Sequence, residues 1–456
     1  MLRVKYSSII LFGALALHSL ISKLIFDKIN LTSNIVVDEE FHLQLGEAYC
    51  KYEFDKWHPK VTTFPGLYLL SSLLLGAFNL CSTYWLRFTS LLFSFINIIL
   101  FYCLFNTNNE NPRWQNVISA INLSILPPLY FFSHLYYTDV ASLTMILLLF
   151  LLSQRGHHYL ASIFGMFAVL FRQTNIIWMG MVFACYVLKE LNTVYQKKPR
   201  KGSSRGDSAK ELIQLLKIFQ GDLWITLKRT TLQFWLNAAS YTSLLLFFVL
   251  FVYLNGSIVV GDKSAHEATI HLPQLFYFSL FSIFFAWPYF ASEVLNFLKF
   301  ARTYRVFVLC VLVTSLVIIH FNTLVHPYLL ADNRHYVFYI WNRFYGKHFS
   351  FRYLVVPVYL FSWFVIIKKL WDKSNVTFLL LYIPCTFVVL TTQKLLELRY
   401  FFIPYVLFRL HLKNTSSVSL MYEFFSHLLI NILTLYLFFT KTIQWEDYDY
   451  PQRLIW

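Results

Sequence analysis

The stretch between positions 37 and 63, VDEEFHLQLGEAYCKYEFDKWHPKVTT, concentrates acidic and basic side chains directly after the first apolar segment of an otherwise apolar chain. A carboxylate within hydrogen-bond reach of a hydroxyl can remove its proton, so this stretch can supply a general base. Asp38 and Glu39 are the candidates for that role, with a solvated helix end as the structural alternative. Among the titratable residues of the stretch are Asp38, Glu39, Glu40, His42, Glu47, Glu53, Asp55, His58 and Lys60.

Three further polar blocks interrupt the apolar sequence. They are FRQTN at 171–175, HPYLLADNRHYVFYIWNR at 326–343 and ELRYFFIPY at 397–405, which we name the second, third and fourth blocks after a first block at 38–68. Ionisable residues at membrane depth are costly, and they usually line a cavity. A wet cavity of acids, arginines and histidines suits a polar, partly anionic substrate delivered in the membrane, such as a polyprenyl-phosphate sugar.

The third block is the main candidate for a phosphate site, because it is the densest polar and aromatic cluster after the first block. Arginine suits a planar array of phosphate oxygens. We expect Arg334 and His335 to hold the phosphate, and Tyr336 to pack on the sugar or the first isoprene units. Further substrate-binding candidates are Lys60, Arg399, Arg172, His42 and Asp332. The structural alternatives are pairing of Arg334 with Asp332, pairing of Arg399 with Glu397 or Glu39, and interfacial anchoring by Arg172.

The same residues predict neither a metal nor a cofactor. The His, Glu and Asp residues lack the tight spacing of a metal site, and Arg, His and Lys alone can handle a single phosphate leaving group. Asp447-Tyr448-Asp449 matches the DxD pattern of metal-dependent nucleotide-sugar enzymes, but chance or a solvated tail explains three letters. The cysteines are scattered without a motif, so we expect neither a disulfide nor a zinc framework; they are Cys50, Cys81, Cys103, Cys185, Cys310 and Cys385.

The elements that must position these groups are membrane helices. The chain has 456 residues, of which 57% are hydrophobic, 20% aromatic and only 13% charged, whereas soluble domains carry about 25% charged residues. Runs at 9–25, 235–254 and 306–321 approach the ~20 apolar residues that cross a bilayer. We therefore predict an all-α, polytopic transmembrane helical bundle, because a β-barrel would show alternating segments of about 10 residues.

The net charge of +15 is explained by topology. Basic residues collect between apolar segments, as the positive-inside rule predicts for cytoplasmic loops. This distribution favours contact with membrane lipid and argues against a nucleic-acid partner. Arg3 and Lys5 precede the first helix, so the N-terminus is placed in the cytoplasm and the first block on the far side, which is the lumen in a eukaryotic secretory membrane.

The segment 66–80 decides whether the four blocks share one side. If it crossed the membrane, the number of crossings counted back from the basic loop would put the first block in the cytoplasm. The count from the N-terminus puts the same block in the lumen. We therefore expect this segment to lie against the membrane, which gives about 13 spans. The predicted organisation is a single integral membrane domain, 1–456, with a first luminal loop at 27–85, a basic cytoplasmic loop at 190–230 and a luminal loop at 322–351.

The four blocks resemble the signature blocks of one family. VDEEFHLQLGEAYCK with WHPKVTTFPGLYLLS, LFRQTNIIWM, HPYLLADNRHYVFYIWNR and LELRYFFIPYVLFRLHL look like those of dolichyl-phosphate-glucose-dependent alpha-1,2-glucosyltransferases of the endoplasmic reticulum. The resemblance implies a GT-C type enzyme in the endoplasmic reticulum membrane with its active site in the lumen. It implies a dolichyl-phosphate β-glucose donor and a dolichyl-diphosphate oligosaccharide acceptor that bears two glucoses and receives a third through an α-1,2 linkage.

Inversion from β donor to α product implies a single displacement with one base. In GT-C enzymes this base is an acid in the first luminal loop. The family motif DE-x-FH is matched by Asp38, Glu39, Phe41 and His42, with Glu40 at the variable position. The resemblance therefore implies Asp38 as the base, with Glu39 next to it.

Three alternatives remain open from the residues alone. A dolichyl-phosphate-mannose transferase needs the same groups, so donor choice does not follow from them. A lipid or solute transporter would be supported by internal repeats and broken helices, whereas the polar residues here lie in loops. A non-catalytic subunit would tolerate loss of Asp38 and Glu39.

Overall fold

The computed structural model describes residues 2–108, 113–196, 208–263, 269–373, 376–413, 415–446 and 448–456. Helices dominate the described chain, which confirms the all-α fold. The first half contains α1 (Leu2–Thr32), α2 (Glu39–Cys50), α3 (Gly66–Leu75), α4 (Thr83–Asn108), α5 (Arg113–Ser124), α6 (Pro127–Phe132), α7 (Thr138–Gln154), α8 (His158–Phe171), α9 (Asn175–Gln196), α10 (Ser208–Lys217) and α11 (Leu223–Lys228).

The second half continues with helices of similar lengths and one short hairpin. Its helices are α12 (Leu232–Asn255), α13 (Pro273–Phe285), α14 (Trp287–Ala291), α15 (Val294–Thr303), α16 (Arg305–Asn322), α17 (Pro327–Ala331), α18 (Tyr336–Ile340), α19 (Phe351–Leu354), α20 (Val356–Lys373), α21 (Val376–Thr391), α22 (Phe402–Leu410) and α23 (Ser417–Thr440). The strands are β1 (Thr442–Ile443) and β2 (Gln452–Arg453), and 3₁₀ or π segments occur at Gly76–Phe78, Ile218–Asp222, Trp341–Tyr345 and Leu398–Phe401.

Seven of the described helices are long and apolar enough to cross a membrane, so the chain is a multi-pass membrane protein. They are Ser7–Thr32, Thr83–Asn108, Asn175–Tyr195, Leu232–Asn255, Arg305–Asn322, Phe351–Trp371 and Ser417–Thr440. Five shorter apolar helices accompany them, at Gly66–Phe78, Thr138–Gln154, His158–Phe171, Pro273–Phe285 and Val376–Thr391. The count of 13 spans stays a prediction, because these helices are shorter than the ~20 residues of a simple span.

The centre of the molecule is α7. Nearly every residue from Thr138 to Leu151 is buried, and α7 packs against α4, α8 and α9. Its sequence, TDVASLTMILLLFLLSQ, is apolar on all faces after the first turn, as expected for a helix enclosed by protein. Because the helix begins at Thr138-Asp139, a carboxylate stands at one end of this buried core.

The segment predicted as the first luminal loop, 27–85, is largely helical. It begins inside α1 and contains α2 and α3, which pack together. A Cβ on Gly66 would lie 2.5 Å from the backbone oxygen of Leu170, so glycine allows α3 to approach α8. Cys50 and Cys81 form a disulfide with Cα atoms 5.6 Å apart. The prediction of no disulfide was wrong, because the fold brings together two cysteines that no sequence motif connects.

The C-terminal segment after α23 folds back onto the third and first blocks. Strands β1 and β2 pair in antiparallel fashion, and the backbone of Ile455 donates to Arg334 O at 2.8 Å and accepts from Tyr336 N at 3.0 Å. Tyr448 Oη donates to Glu40 Oε2 at 2.9 Å. The C-terminal segment is therefore packed against the protein at Tyr448 and Ile455, whereas Asp449 of the DxD match is exposed. Asp447 of the DxD match lies outside the described residues, as do positions 197–207 of the predicted basic loop.

Candidate active site

A strained turn precedes the two predicted catalytic acids. Val37 has φ 52°, in the left-handed region that a β-branched residue rarely adopts. The carbonyl of Val36 holds the turn by accepting from Tyr137 Oη and from Glu39 N, both at 3.1 Å. Such a conformation costs about 1–3 kcal/mol, and it concentrates at functional sites. The neighbouring carboxylates of Asp38 and Glu39 have different surroundings after this turn.

Glu39 is an anchor. Its side chain is fully buried, and both oxygens are engaged: Oε1 accepts from Arg87 Nε and from Tyr136 N, each at 2.8 Å. Oε2 accepts from Arg87 Nη2 at 2.6 Å and from Val36 N at 3.3 Å. These contacts use the acceptor capacity of the carboxylate. These contacts favour a positioning role in which Glu39 fixes the turn to α4, and its predicted catalytic role stays a prediction.

Asp38 is open and weakly paired. Its side chain is 49% exposed, and Oδ2 lies 3.7 Å from the nearest cation, Arg399 Nη2. The surrounding protein mass raises the pKa of Asp38 by desolvation, and Glu397 and Asp332 add to the rise, while Arg399 and His335 oppose it. A general base works best when its pKa approaches the operating pH. The Asp38 carboxylate therefore has the accessibility and the direction of pKa shift that proton abstraction requires.

Arg399 connects Asp38 to a cluster of two arginines and two further carboxylates. Arg399 Nη2 contacts Glu397 Oε2 at 2.7 Å, and its Nη1 lies 3.8 Å from Asp139 Oδ2. Arg172 Nη2 contacts Asp139 Oδ1 at 2.7 Å. Burial acts to raise the pKa of Glu397, but the charges of Arg399 and Arg172 hold it below its usual range. The pairing of Arg399 with Glu397 is confirmed, and Arg172 is an ion-paired residue of the same cluster.

A recess of about 110 Å³ opens beside this cluster, lined by both arginines and by Asp139. Three polar atoms that belong to residues lining the recess lack a hydrogen-bond partner within the described chain, namely Asp139 Oδ2, Asn175 Oδ1 and Thr63 Oγ1. Unpaired buried polar atoms are costly unless water or a ligand satisfies them. The Asp139 and Asn175 oxygens are acceptors that need a donor such as water or a hydroxyl, whereas Arg172 and Arg399 provide the cationic donors that a small anionic group requires.

Arg334, the main candidate for the phosphate site, is committed to the protein. It forms a forked contact with Asp332, Nε to Oδ1 and Nη2 to Oδ2, both at 2.9 Å. Its guanidinium lies 3.9 Å from the ring centroid of Trp445 in the C-terminal segment. With 9% of the side chain exposed, Arg334 matches its structural alternative. These contacts favour the structural alternative, in which Arg334 fixes the third block, and its role as a phosphate ligand stays a prediction.

The neighbours of Arg334 also contact the C-terminal segment. His335 Nδ1 lies 3.3 Å from Trp456 O, and its Nε2 lies 3.6 Å from Asp332 Oδ2. The ring of Tyr336 lies 4.9 Å from that of Trp456, and its buried hydroxyl has no hydrogen-bond partner among the described residues. The charges of His335 and Asp332 both act on the Asp38 pKa, which His335 lowers and Asp332 raises. This part of the third block therefore influences the Asp38 carboxylate.

The two remaining candidates from the first block do not join the recess. His42 Nδ1 contacts Tyr68 Oη at 2.6 Å. Burial, together with the charges of Arg399 and Arg172, lowers the pKa of His42 to about 3, so the ring is neutral and cannot serve as a phosphate cation. Lys60 is exposed, with Nζ 4.7 Å from the ring centroid of Phe41. In the part of the chain that the structure describes, no three His, Cys, Asp or Glu side chains form a group that could hold a metal ion.

Asp139 is the residue that the sequence reasoning missed. Asp139 was not among the candidate residues, yet its carboxylate bridges Arg172 and Arg399. One signal was available, because an acid in the first turn of an apolar helix is costly and usually serves a function. Its two partners lie in the second and fourth blocks, so their meeting depends on the tertiary fold.

Comparison with known proteins connects this site to one family. The model of the DIE2/ALG10 family matches residues 32–410, which include all four blocks. A protein from Drosophila melanogaster named Dol-P-Glc:Glc(2)Man(9)GlcNAc(2)-PP-Dol alpha-1,2-glucosyltransferase is 44% identical, with 95% of this chain and 96% of the relative aligned. Proteins of the same name from Rattus norvegicus and Arabidopsis thaliana are 37% and 31% identical, over 92% and 97% of this chain and 93% and 100% of theirs. No solved structure matches the chain.

Proposed function

The chain belongs to the DIE2/ALG10 family, and on that premise we propose how its polar recess carries out glucosyl transfer. The protein is a glycosyltransferase that moves glucose from dolichyl-phosphate-glucose to the dolichyl-diphosphate oligosaccharide with two glucoses, forming an alpha-1,2 linkage. The agreement of its relatives' names over more than nine-tenths of each chain carries this conclusion. Those names specify glucose as the donor sugar, and none of them describes a mannose transferase or a transporter.

Asp38 is the general base of this reaction. The acceptor hydroxyl oxygen attacks C1 of the donor glucose, and its proton passes to the Asp38 carboxylate. The bond between C1 and the phosphate oxygen breaks, and its electron pair leaves with dolichyl phosphate. Attack opposite the leaving group inverts the configuration at C1. The exposed, weakly paired carboxylate and its raised pKa support this assignment.

Arg399 and Arg172 hold the phosphate of the donor. Both line the recess beside Asp38, and guanidinium groups carry more N–H donors than their carboxylate contacts use. The recess volume of about 110 Å³ is below the ~150 Å³ of a cavity that binds benzene. It therefore suits a phosphate group better than a complete sugar phosphate. Arg399 lies next to both the base and the recess, and it therefore connects proton abstraction with phosphate binding.

The active site faces the lumen of the endoplasmic reticulum in this proposal. The positions of the basic residues put the four blocks on the side opposite the cytoplasm. The disulfide between Cys50 and Cys81 lies in the same segment as Asp38, and disulfides persist in oxidising compartments such as this lumen. Arg87 and Glu39 then fix the luminal end of α4 to the catalytic turn.

Purified protein tests the reaction directly. It is incubated with dolichyl-phosphate-glucose or dolichyl-phosphate-mannose and the two-glucose lipid-linked acceptor, and the product glycan is analysed by mass and by linkage. We expect one added hexose from the glucose donor alone, joined through an alpha-1,2 bond. Transfer from the mannose donor at an equal or higher rate would overturn the assignment of the donor.

A further inference from the structure

A second and larger cavity adjoins the catalytic turn, and none of the roles assigned above uses it. Its volume is about 750 Å³. The end of α1, the segment after it, the first turns of α4 and the C-terminal segment enclose it; among its lining residues are Asn30, Asn34, Thr83, Tyr84, Arg87 and Tyr450. Pockets of about 300–1,000 Å³ hold drug-sized ligands, so this one has room for a few sugar units.

The cavity and the recess lie on two sides of the same turn. Arg87 lines the cavity and donates to Glu39 Oε2 at 2.6 Å. Arg399 lines the recess and lies 3.7 Å from Asp38. Because Asp38 and Glu39 are consecutive, the cavity and the recess are connected to the same turn, the cavity through the Arg87–Glu39 pair and the recess through Arg399.

We propose that this cavity binds the outer, glucose-bearing end of the acceptor oligosaccharide. The inference rests on the proposed function and deepens it, because it assigns the second substrate to named residues. Asn30, Asn34 and Thr83 provide amide and hydroxyl groups for sugar hydroxyls. Ser33 Oγ, also in the wall, is buried without a hydrogen-bond partner within the described chain, so a ligand hydroxyl can satisfy it.

The charges of the cavity fit uncharged sugars. Arg87 is neutralised by Glu39, and Asp27 is neutralised by Lys23 at 2.6 Å. Arg87 is the cationic residue among the described lining residues, and its Nε, Nη1 and Nη2 atoms already donate to Glu39, Asn30 and Asn34, which leaves few donors for a phosphate. The acceptor carries its diphosphate at the opposite end of the glycan. The cavity therefore suits the neutral end of the acceptor, which is the end that receives the new glucose.

Two tyrosines add ring faces to the polar wall. Tyr84 comes from the first turn of α4, and Tyr450 comes from the C-terminal segment. Aromatic rings contribute large apolar faces beside a polar hydroxyl, which matches the C–H and O–H groups of a pyranose. Arg453 Nη2 holds the segment in place by donating to Thr32 O at 3.0 Å. The C-terminal segment is thus a wall of the acceptor site.

The place of the cavity also fits a lipid-linked acceptor. It lies at the ends of α1 and α4, two of the helices long enough to cross the membrane. A substrate anchored by dolichol presents its glycan at such helix ends.

Acceptor kinetics of the full-length protein test the proposal. We would replace Tyr450 by alanine to remove a stacking face, and Asn34 by tryptophan to fill the cavity. The control is Tyr253→Ala, because Tyr253 is 82% exposed near the end of α12 and lines neither cavity. We expect Tyr450→Ala to raise the acceptor KM by about 2- to 10-fold, as the loss of one aromatic contact does. Asn34→Trp should raise it further.

The donor KM and the melting temperature serve as internal controls. The KM for dolichyl-phosphate-glucose and the melting temperature should stay at the wild-type values in all three variants, because the recess is untouched. Unchanged acceptor KM in Tyr450→Ala and in Asn34→Trp would overturn the acceptor site. A raised donor KM would do the same, and it would assign the cavity to the donor. If the wild-type protein makes no product, the proposed function itself fails, which is a separate result.

Discussion

Replacing Glu39 by glutamine should destabilise the protein, because Glu39 neutralises a buried arginine. Glu39 and Arg87 have 0% and 2% of their side chains exposed, and they are joined by two contacts of 2.6 and 2.8 Å. Glutamine keeps the size of the side chain but leaves the Arg87 charge buried and uncompensated. Removing one partner of such a pair costs about 3–5 kcal/mol. The backbone contacts to Tyr136 and Val36 weaken with it, so the turn that carries Asp38 loosens.

The assay is thermal melting of the purified protein together with turnover per folded molecule. Glu47→Gln is the matched control, because Glu47 lies on the same helix and pairs with Lys51 at 2.7 Å with both side chains about half exposed. Exposed pairs contribute little to stability, so this control should melt like the wild type. Glu39→Gln should melt at a clearly lower temperature, with turnover reduced through the disordered turn.

A double variant separates anchoring from chemistry. Glu39→Leu with Arg87→Met removes both buried charges, and the replacement of a buried pair by apolar residues is often neutral or stabilising. This variant should melt above Glu39→Gln and regain part of the turnover. The reasoning is refuted if Glu39→Gln melts like the wild type but has no activity, because Glu39 would then act in the reaction.

Three further predictions concern the Asp38 carboxylate, the arginines Arg399 and Arg334, and the disulfide. If Asp38 is the base, protonation inactivates it, so its raised pKa should place the acid limb of kcat/KM above the ordinary aspartate value of about 3.9; a pH–rate profile with a limb at or below that value contradicts this. Arg399→Lys should raise the donor KM with little change in melting, whereas Arg334→Lys should lower the melting temperature and keep donor kinetics; the reverse pattern would exchange their roles. Replacing Cys50 and Cys81 together by serine should cost about 3–4 kcal/mol of stability for the 31-residue separation, and an unchanged melting curve would argue against a stabilising disulfide.

The helical membrane fold could be predicted because it depends on composition and on runs of apolar residues. These are local properties, and the bilayer leaves helices as the main way to satisfy backbone groups. The helix bounds differ in places: α1 continues to Thr32, and the loop that follows is mostly helical. A run of apolar residues shows that a segment can lie in the membrane or in the protein core, but caps and neighbouring helices decide where it ends.

The roles of adjacent acids could not be separated by sequence alone. Asp38 and Glu39 have the same chemistry and the same place in the motif. Their difference comes from Arg87, which lies 48 positions after Glu39 and meets only one of them. The turn at Val37, which directs the two side chains apart, has a left-handed backbone conformation that the residue types do not predict.

The arginines could not be ranked by sequence for a related reason. Arg334 stands in the densest polar block, but its partners are Asp332, two positions before it, and Trp445 in the C-terminal segment. The many polar residues of this block form contacts within the block and with the C-terminal segment. Arg172 and Arg399 stand in sparser blocks, yet α7 brings them together through Asp139.

Single-turnover transfer by Asp38→Asn tests the central claim most directly. Enzyme in excess is mixed with dolichyl-phosphate-glucose and the two-glucose acceptor, and the transfer rate, the donor affinity and the melting temperature are measured beside the wild type. The account predicts a rate lower by about 10²- to 10⁴-fold, as loss of general base catalysis causes, with donor affinity and melting retained. Near-normal transfer by Asp38→Asn would contradict the account, because the base would then be another residue.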